Sequence, residues 1–333
     1  MTELKTILVT GGAGYIGSHV CKILAEEGRT PIAYDNLSNG NRDAVQWGPF
    51  EEGDILDQDK LRYVLKKYQP EAVMHFAAFA YVGESIIKPK KYYRNNVVGT
   101  LNIAECMLQE SINNLIFSGS CVTFGAPESM PINETYAQNP ISPYGKSKVA
   151  SENIINDFSS AHGLCSVILR YFNAAGADKD LEIGELHSPE THLIPLLFDA
   201  CTRTTHHFNV NGDDYDTFDG TCIRDYIHVT DLADAHILAY KKLKQDGVTT
   251  SYNLGNGEGF SIKQVIHMVE KVTGLDVPFG IAPRRVGDPP ILIADSTKAR
   301  KELLWSPVNS SLENIIESAW LWYNKMIGRD AQS

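Results

Sequence analysis

The chain has 333 residues, 43% of them hydrophobic, and a formal net charge of −11 at pH 7. This length suffices for one large domain or two closely packed domains, and the negative charge argues against a nucleic-acid-binding protein. The six cysteines are scattered without a Cys-x-x-Cys pair, which predicts reduced thiols and a cytoplasmic protein. The first apolar strand follows Lys5 directly, so we expect no signal peptide, and no apolar run is long enough to cross a membrane.

The first predicted element is a short β-branched strand at residues 6–9, which leads into a glycine-rich turn. Gly12, Gly14 and Gly17 match the pattern Gly-x-Gly-x-x-Gly, and Gly11, Gly14 and Gly17 match the overlapping pattern Gly-x-x-Gly-x-x-Gly. Glycine is needed where backbone N–H groups approach a pyrophosphate closely, because a Cβ atom would block the approach. The turn is therefore predicted to bind a dinucleotide.

A helix is predicted to begin at about Tyr15, where Ile16 starts its apolar spacing. The N-terminus of a helix carries the positive end of its dipole, which favours a phosphate. A second predicted strand, residues 31–34, ends at Asp35, which lies 18 residues past Gly17. A carboxylate near this spacing binds the ribose 2′-hydroxyl and repels a 2′-phosphate, so the sequence predicts NAD rather than NADP.

Strands and helices alternate after this point. We predict strands near residues 50–53, 72–76, 115–119 and 166–172, with helices at 57–67, 92–109 and 146–162 between them. The alternation predicts an α/β fold built on a doubly wound parallel Rossmann sheet. We expect residues 1–173 to form this dinucleotide-binding domain, with part of 223–250 returning to it.

The pattern becomes irregular in the second half, and residues 174–333 are predicted to form mainly a smaller α/β lobe that binds the substrate. Two long loops, 182–192 and 209–221, are rich in Gly, Asp, Pro and Thr, and loops of that length are usually functional. Helices are predicted at residues 230–243, 261–272 and 312–326.

Tyr144 and Lys148 fit Tyr-x-x-x-Lys, which places both side chains on one face of a helix that Pro143 begins. A phenol is a poor base at neutral pH, but a neighbouring ammonium and the positive nicotinamide of NAD⁺ stabilise the phenolate and lower the pKa of the phenol. Tyr144 is then able to take a proton from a substrate hydroxyl while hydride leaves to the cofactor. The strand before it ends in Ser118-Gly-Ser120, which places a hydroxyl near that proton.

The chain resembles the UDP-glucose 4-epimerases of the extended short-chain dehydrogenase/reductase family over nearly its whole length. The motifs that carry the resemblance are at residues 10–17, 35–37, 53–55, 75–78, 82–85, 95–96, 144–148, 170–173, 224–229 and 283–288. The resemblance implies NAD-dependent interconversion of UDP-glucose and UDP-galactose, by oxidation at C4, rotation of the 4-keto sugar and re-reduction. It also implies a homodimer.

The resemblance implies a role for individual residues, with Tyr144 as catalytic base, Lys148 as its partner and Ser120 as a bridge to the sugar 4-hydroxyl. The implied cofactor residues are Gly11, Gly14, Tyr15, Ile16, Gly17, Asp35, Asn36, Asp54, Ile55, Phe76, Ala77, Ala78, Asn95, Tyr144, Lys148 and Tyr171. The implied substrate residues are Ser120, Tyr144, Asn173, His192, Leu193, Asn209, Asn211, Arg224, Arg285, Asp288 and Leu292. Two guanidinium groups suit a diphosphate, although the alternative is that Arg224 and Arg285 pair with acids such as Asp225 and Asp288.

The sequence departs from the family pattern at residues 121–125, which read Cys-Val-Thr-Phe-Gly where relatives often have Ala-Thr-Val-Tyr-Gly. The hydroxyl of Thr123 is displaced by one residue, which turns it to the other face of the strand end, so we expect Ser120 to act alone. Leu292 occupies the position that gates the sugar pocket in the family. Its bulk predicts a preference for glucose and galactose over N-acetylated sugars.

Other functions remain open at this stage. A UDP-xylose/UDP-arabinose 4-epimerase would use the same chemistry, and loops like 189–192 also occur in relatives with that role. A dehydratase tends to carry Asp-Glu after the hydroxyl residue, where this chain has Val122-Thr123. A non-catalytic NAD-sensing regulator often lacks the Tyr or the Lys of the pair, and both are present here.

Two further expectations concern metals and assembly. His187 and His192 lie five residues apart in a polar loop, and because no third ligand has suitable spacing we expect no metal. The helices at 92–109 and 146–162 are expected to form a four-helix bundle between subunits. Apolar candidates for that interface are Ile103, Met107, Ile154 and Phe158, with burial in the core as the alternative.

Overall fold

The computed structural model of the protein describes residues 5–203, 207–285 and 287–330. In chain order its strands are β1 (Thr6–Thr10), β2 (Thr30–Asp35), β3 (Phe50–Glu52), β4 (Ala72–His75), β5 (Asn114–Ser118), β6 (Cys165–Tyr171), β7 (Asn173–Ala175), β8 (Phe208–Asn211), β9 (Ile223–His228), β10 (Thr250–Leu254), β11 (Gly259–Ser261), β12 (Phe279–Ala282) and β13 (Ile291–Leu292). Its α-helices are α1 (Tyr15–Glu26), α2 (Gln58–Tyr68), α3 (Val82–Ile87), α4 (Pro89–Tyr92), α5 (Gly99–Gln109), α6 (Pro143–His162), α7 (Leu193–Thr202), α8 (Val229–Asp246), α9 (Ile262–Thr273), α10 (Thr297–Glu302) and α11 (Leu312–Asp330).

Seven strands form one parallel sheet in the order β10-β6-β5-β4-β1-β2-β3. The order reverses at β1, because the chain proceeds outward to β3 and then returns to place β4 on the other side of β1. Open parallel sheets bind their ligands at the carboxyl ends of the strands beside such a reversal. The predicted doubly wound parallel sheet is therefore confirmed.

Both faces of this sheet are covered by helices, as a parallel sheet requires. Ile7 and Val9 of β1 pack on one face with α1 and α8, whereas Leu8 packs on the other face with α2 and α5. Ile103 and Met107 are fully buried in that second layer, so they are core residues and do not offer a surface to a partner.

Smaller sheets make up much of the second half of the chain. β9 pairs with β7, β11 and β13, and β8 pairs with β12. A separate apolar core joins α7, α9 and α11 beside them. β10 from this half completes the edge of the large sheet, and α8 packs against α1. None of the helices in the described ranges has the length and apolar character needed to cross a membrane.

The predicted helix at 92–109 is interrupted by a π-helical segment, Tyr93–Val98, before α5 begins. The cause is tertiary. The Asn96 side chain accepts a hydrogen bond from the Phe79 N–H and donates one to the Phe79 carbonyl, both at 3.0 Å. The backbone carbonyl of Asn96 accepts hydrogen bonds from the Thr100 and Ser151 hydroxyls at 2.6 and 3.0 Å. These contacts replace the regular helical pattern, and they turn Asn95 toward the large cavity described below.

Candidate active site

The glycine-rich turn between β1 and α1 brings backbone close to backbone. Gly11 has a φ of +76°, and a Cβ atom there would lie 2.7 Å from the backbone nitrogen of Ala77. A Cβ on Gly17 would collide with the carbonyl of Gly11. Gly14 is the N-cap of α1, and the first turn of that helix carries no acidic residue. The turn therefore leaves a helix N-terminus open to an anion.

Asp35 ends β2 beside this turn. Its carboxylate accepts hydrogen bonds from the backbone N–H groups of Ala13 and Leu37, at 3.1 and 2.8 Å. Burial raises the pKa of this carboxyl above its ordinary value, while the two N–H donors oppose the rise. Its negative charge lies where a 2′-phosphate would be repelled. Nearby, the Asn36 amide donates to the Asp54 carboxylate at 3.0 Å.

A cavity of about 450 Å³ runs along the carboxyl ends of the strands from this turn. The predicted site residues that line it are Gly11, Gly14, Tyr15, Ile16, Gly17, Asp35, Asn36, Ile55, Phe76, Ala77, Ala78, Asn95, Ser120, Tyr144, Lys148, Tyr171, Asn173, His192 and Leu193. The predicted site residues outside its lining are Asp54, Asn209, Asn211, Arg224, Arg285, Asp288 and Leu292. The fold thus brings most of the predicted cofactor residues and all the predicted catalytic residues into one cavity, and places most of the predicted diphosphate residues beyond it.

Tyr144 and Lys148 project from the first turns of α6. Pro143 begins the helix, and the Ser142 hydroxyl caps it by accepting from the Gly145 N–H at 3.1 Å. The phenol of Tyr144 is buried and forms a hydrogen bond with Ser120. The Lys148 ammonium donates to the Ser118 carbonyl at 2.7 Å. A hydroxyl, a phenol and an ammonium therefore meet at the end of β5, which is a relay able to accept and return one proton.

Ser120 and Thr123 have different surroundings, although Cys121–Phe124 form a 3-10 helix and not the strand end on which the prediction was based. Ser120 lines the cavity, whereas Thr123 is fully buried and donates its hydroxyl to the Ser120 carbonyl at 2.9 Å. The Thr123 hydroxyl is therefore engaged with the backbone, and Ser120 is the hydroxyl that faces the cavity.

Residues 7–255 of the chain match the NAD dependent epimerase/dehydratase family. The chain belongs to that family. It is 49% identical to a UDP-glucose 4-epimerase of Rhizobium meliloti over 321 residues, which cover 96% of this chain and 98% of the relative.

Two solved structures extend the comparison. The UDP-glucose 4-epimerase of Brucella ovis, in complex with NAD, has a TM-score of 0.93 and 51% identity, covering 96% of this chain and 98% of that one. The UDP-glucose 4-epimerase of Bifidobacterium longum, in complex with NAD⁺ and UDP, has a TM-score of 0.92 and 36% identity, covering 96% and 98%.

The cavity of this epimerase-family chain fits NAD on structural grounds. Cβ atoms at Gly11 and Gly17 would collide with neighbouring backbone, so only glycine allows the tight turn before the N-terminus of α1, and Asp35 stands at the end of the next strand. Lys148 lies at the opposite side, next to the phenol. The family match and this cradle together identify NAD as the cofactor.

The pKa of Tyr144 differs from what Lys148 alone predicts. Burial raises the pKa of this phenol well above its ordinary value, and the hydrogen bond with Ser120 opposes the rise only in part. Burial also lowers the pKa of Lys148 to about 8, against the influence of Glu152. The predicted lowering of the Tyr144 pKa followed from the Lys148 ammonium and the nicotinamide, whereas desolvation of the buried phenol raises that pKa. The groups of the chain alone therefore favour the protonated phenol, and the positive nicotinamide of an oxidised cofactor would favour the phenolate.

Arg224 already has partners. Its guanidinium donates to the Asp288 carboxylate at 2.5 Å and to the carbonyls of Ile223 and Pro289 at 2.7 and 2.8 Å. Asp225, the other candidate partner, instead accepts from backbone N–H groups at residues 256, 257 and 294. This favours the Asp288 pairing among the alternatives left open by the sequence. Burial raises the pKa of the Cys121 thiol in the cavity wall, and the positive charge of Arg224 opposes that rise.

With its amide oxygen facing the guanidinium, Asn211 accepts from Arg285 at 3.2 Å. Leu292 pairs in register with Arg224 and is 7% exposed, within an apolar cluster that includes Cys121 and Phe172. Because both of those residues line the cavity, Leu292 supports its wall from behind.

The loop before α7 contains a cluster that the spacing of its histidines alone did not reveal. His187 and His192 are joined there by two carboxylates, Glu185 and Glu190. The prediction that His187 and His192 have no third ligand of suitable spacing did not include these acids, although the order Glu-x-His-x-x-Glu-x-His is present in the sequence. Glu185, His187 and His192 also line the cavity. Tyr15 and Tyr81 pack edge-on against His187, with ring centroids 6.4 and 6.3 Å away.

Proposed function

We propose that the protein interconverts UDP-glucose and UDP-galactose by inverting the configuration at C4. The observation that carries this proposal is the meeting of Tyr144, Lys148 and Ser120 in the same cavity as the glycine-rich turn and Asp35. The relatives named above support the choice of sugar nucleotide over the pentose, dehydratase and regulator alternatives.

NAD⁺, when bound, would supply a reversible acceptor for the hydride at C4. The glycine-rich turn would hold its pyrophosphate, Asp35 its adenosine ribose and Lys148 its nicotinamide ribose. Tyr144 takes the proton of the 4-hydroxyl as the C4–H bond breaks, and Ser120 shares that hydrogen bond. Tyr144 later returns the proton to the oxygen of the 4-keto sugar, after the sugar has turned its other face. Each cycle therefore leaves both the cofactor and the phenol as they began.

Rotation of the sugar requires that the reacting ring be held loosely and the rest of the substrate firmly. We assign the grip on the diphosphate of UDP to Arg224 and Arg285, because planar guanidinium groups bind diphosphates bidentately. Asn173 and Asp288 are assigned to UDP on the resemblance of their positions. The pairing of Arg224 with Asp288 uses part of its fork and orients the remainder. Leu193, Asn209 and Asn211 are assigned to the same substrate on the resemblance of their positions. The resemblance implies the same of His192, although its ring nitrogen is directed at Glu185 and Glu190.

We further propose a homodimer that functions in the cytoplasm. Because Ile103 and Met107 are core residues, the interface we assign uses the outward side of α5 and α6. Val98, directly before α5, is 43% exposed, and Leu101 of α5 and Ile154 of α6 are half-buried. The six unpaired cysteines agree with a reducing compartment. Light scattering at micromolar concentration should give twice the 36.9 kDa of one chain, and a 36.9 kDa particle would contradict the dimer.

A panel of UDP-sugars followed by NMR tests the proposed function. We expect UDP-galactose and UDP-glucose to reach the same equilibrium mixture from either side, without added cofactor, because NAD remains bound. Inversion of UDP-xylose alone, or no inversion of any sugar by NAD-loaded protein, would overturn the proposal.

A further inference from the structure

The loop between β7 and α7 gathers four side chains at the edge of the cavity. Glu185, His187, Glu190 and His192 each direct one donor atom inward, and these four atoms all lie within 4.8 Å of one another. Nδ1 of His192 is 2.8 Å from a Glu185 oxygen and 3.0 Å from a Glu190 oxygen. Nδ1 of His187 is 3.4 Å from Glu185 and 3.6 Å from Glu190.

The position of His187 is not explained by hydrogen bonding. Its Nδ1 atom is buried and lies 3.4 and 3.6 Å from the two carboxylates with which it forms ion pairs, farther than the 2.7–3.2 Å at which N–H groups bond to oxygen. A buried ring nitrogen without a partner is costly unless another group binds it. The nitrogen points into the cluster, so the group that satisfies it must lie among these four side chains.

The separations suit a tetrahedral metal ion. With metal–nitrogen and metal–oxygen bonds of about 2.0–2.1 Å, the ligand atoms around a tetrahedral ion lie roughly 3.4 Å apart. The four histidine–carboxylate separations here run from 2.8 to 3.6 Å, and all the ligand atoms lie within 4.8 Å of one another. Imidazole and carboxylate together are a donor set that binds zinc and its neighbours in the first transition row, whereas calcium and magnesium prefer oxygen alone.

A second acidic cluster in the same loop region is neutralised by a lysine. Asp178, Asp180 and Glu182 converge on the Lys22 ammonium, which binds all three at 2.7–2.8 Å. That cluster already has its cation. Among the residues that the structure describes, no lysine or arginine forms an ion pair with Glu185 or Glu190, and the ion-pair partners of these two carboxylates are His187 and His192.

We propose that Glu185, His187, Glu190 and His192 bind one divalent transition-metal ion, with Zn²⁺ as the first candidate. Four protein ligands make a closed site, which is typical of a structural ion that takes no part in chemistry. The ion ties both ends of the segment 185–192 together directly before α7. It thereby fixes the cavity wall that His187 and His192 form, with the rings of Tyr15 and Tyr81 packed against the histidines.

Zinc binding by the NAD-loaded protein tests this proposal directly. After dialysis against EDTA, Zn²⁺ is titrated in competition with a chromophoric chelator, and we expect one tight equivalent per chain. His187→Ala and Glu190→Gln should each weaken binding by at least about 100-fold, since loss of even an outer-shell partner costs 10–100-fold. His267→Ala on the exposed face of α9 and Asp180→Asn in the other acidic cluster should bind zinc like the native protein.

Two further measurements guard against misfolding. Bound NAD per chain shows whether each variant is folded, and Glu190→Gln keeps the shape of the side chain if His187→Ala does not fold. Added Zn²⁺ should raise the thermal midpoint of the native protein and leave that of Glu190→Gln unchanged. The proposal is wrong if the native protein binds no more zinc than Glu190→Gln, or if zinc binding is lost only in the His267 or Asp180 variants. Neither readout depends on epimerase activity.

Discussion

The two sides of the cavity are built differently. On the cofactor side, the functional groups stand at strand ends and helix starts, where Gly11 follows β1, Asp35 ends β2 and Tyr144 lies in the first turn of α6. On the substrate side, they depend on contacts between distant parts of the chain, such as the pair Arg224–Asp288, whose members are 64 residues apart. Residues at the ends of regular elements therefore position the predicted catalytic and cofactor groups, while long-range contacts between segments position the groups predicted to select the substrate.

This comparison leads us to expect different consequences of substitution. Changes on the cofactor side should alter turnover or cofactor choice, because they remove a group that touches the reacting atoms or NAD. Changes on the substrate side should mainly alter which sugar is accepted.

The largest effect is expected from Tyr144→Phe, which removes the phenolic proton acceptor and keeps the ring. Turnover of UDP-galactose should fall by about 10²–10⁴-fold, the usual contribution of a positioned acid–base group. The variant should retain NAD, because the turn at Gly11 and the Asp35 carboxylate are unchanged. Turnover close to that of the native enzyme would remove Tyr144 from the mechanism.

Leu292 tests the substrate side. Because it supports Cys121 and Phe172 from behind, we expect the native enzyme to favour UDP-glucose and UDP-galactose over UDP-GlcNAc by roughly 10–100-fold in kcat/KM. Leu292→Ser should narrow that gap, with the two families of sugars measured side by side. Equal efficiency of the native enzyme on both would show that Leu292 does not limit the pocket.

Asp35→Ala addresses the choice of cofactor. The purified native protein should carry NAD(H), and the variant should lose about tenfold or more of its preference for NAD over NADP, because a charged hydrogen bond to the ribose contributes roughly 1.5–3 kcal/mol. Displacement of bound cofactor by each dinucleotide measures the change. Extraction of NADP alone from the native protein would contradict the role of Asp35.

The smallest effect separates two neighbouring hydroxyls. Ser120→Ala should lower turnover about tenfold, since it removes one hydrogen bond in the reacting site. Thr123→Val is the matched control, and because its hydroxyl binds only the Ser120 carbonyl, turnover should change by no more than about twofold to threefold. A larger loss in the Thr123 variant than in the Ser120 variant would reverse the assignment.

The difference between the cofactor side and the substrate side also determines how much of the fold and of the site could be predicted from the sequence. The sheet, the glycine turn and the Tyr144–Lys148 pair follow from spacing over a few residues, and the observed strand and helix bounds differ from the predicted ones by a few residues. The π-helical segment at Tyr93–Val98 could not be predicted, because it arises from contacts of Asn96 with Phe79 and with α6.

Other differences arise from burial, which no local pattern reveals. Ile103 and Met107 have the spacing of an interface and lie in the core. The pKa of Tyr144 is raised by desolvation where its neighbour Lys148 suggested the opposite. The acids beside His187 and His192 were visible in the sequence, but only the folded loop brings all four side chains within reach of one another.

The central claim is that hydrogen leaves C4 as hydride and returns without exchanging with water, while Tyr144 handles only the hydroxyl proton. Running the reaction from UDP-galactose in D₂O tests this most directly, with the carbon-bound hydrogens of the product observed by NMR. We predict that the UDP-glucose formed has a full-intensity proton signal at C4 and no deuterium on that carbon. Deuterium at C4 would mean that the carbon itself is deprotonated and reprotonated, and would contradict the account.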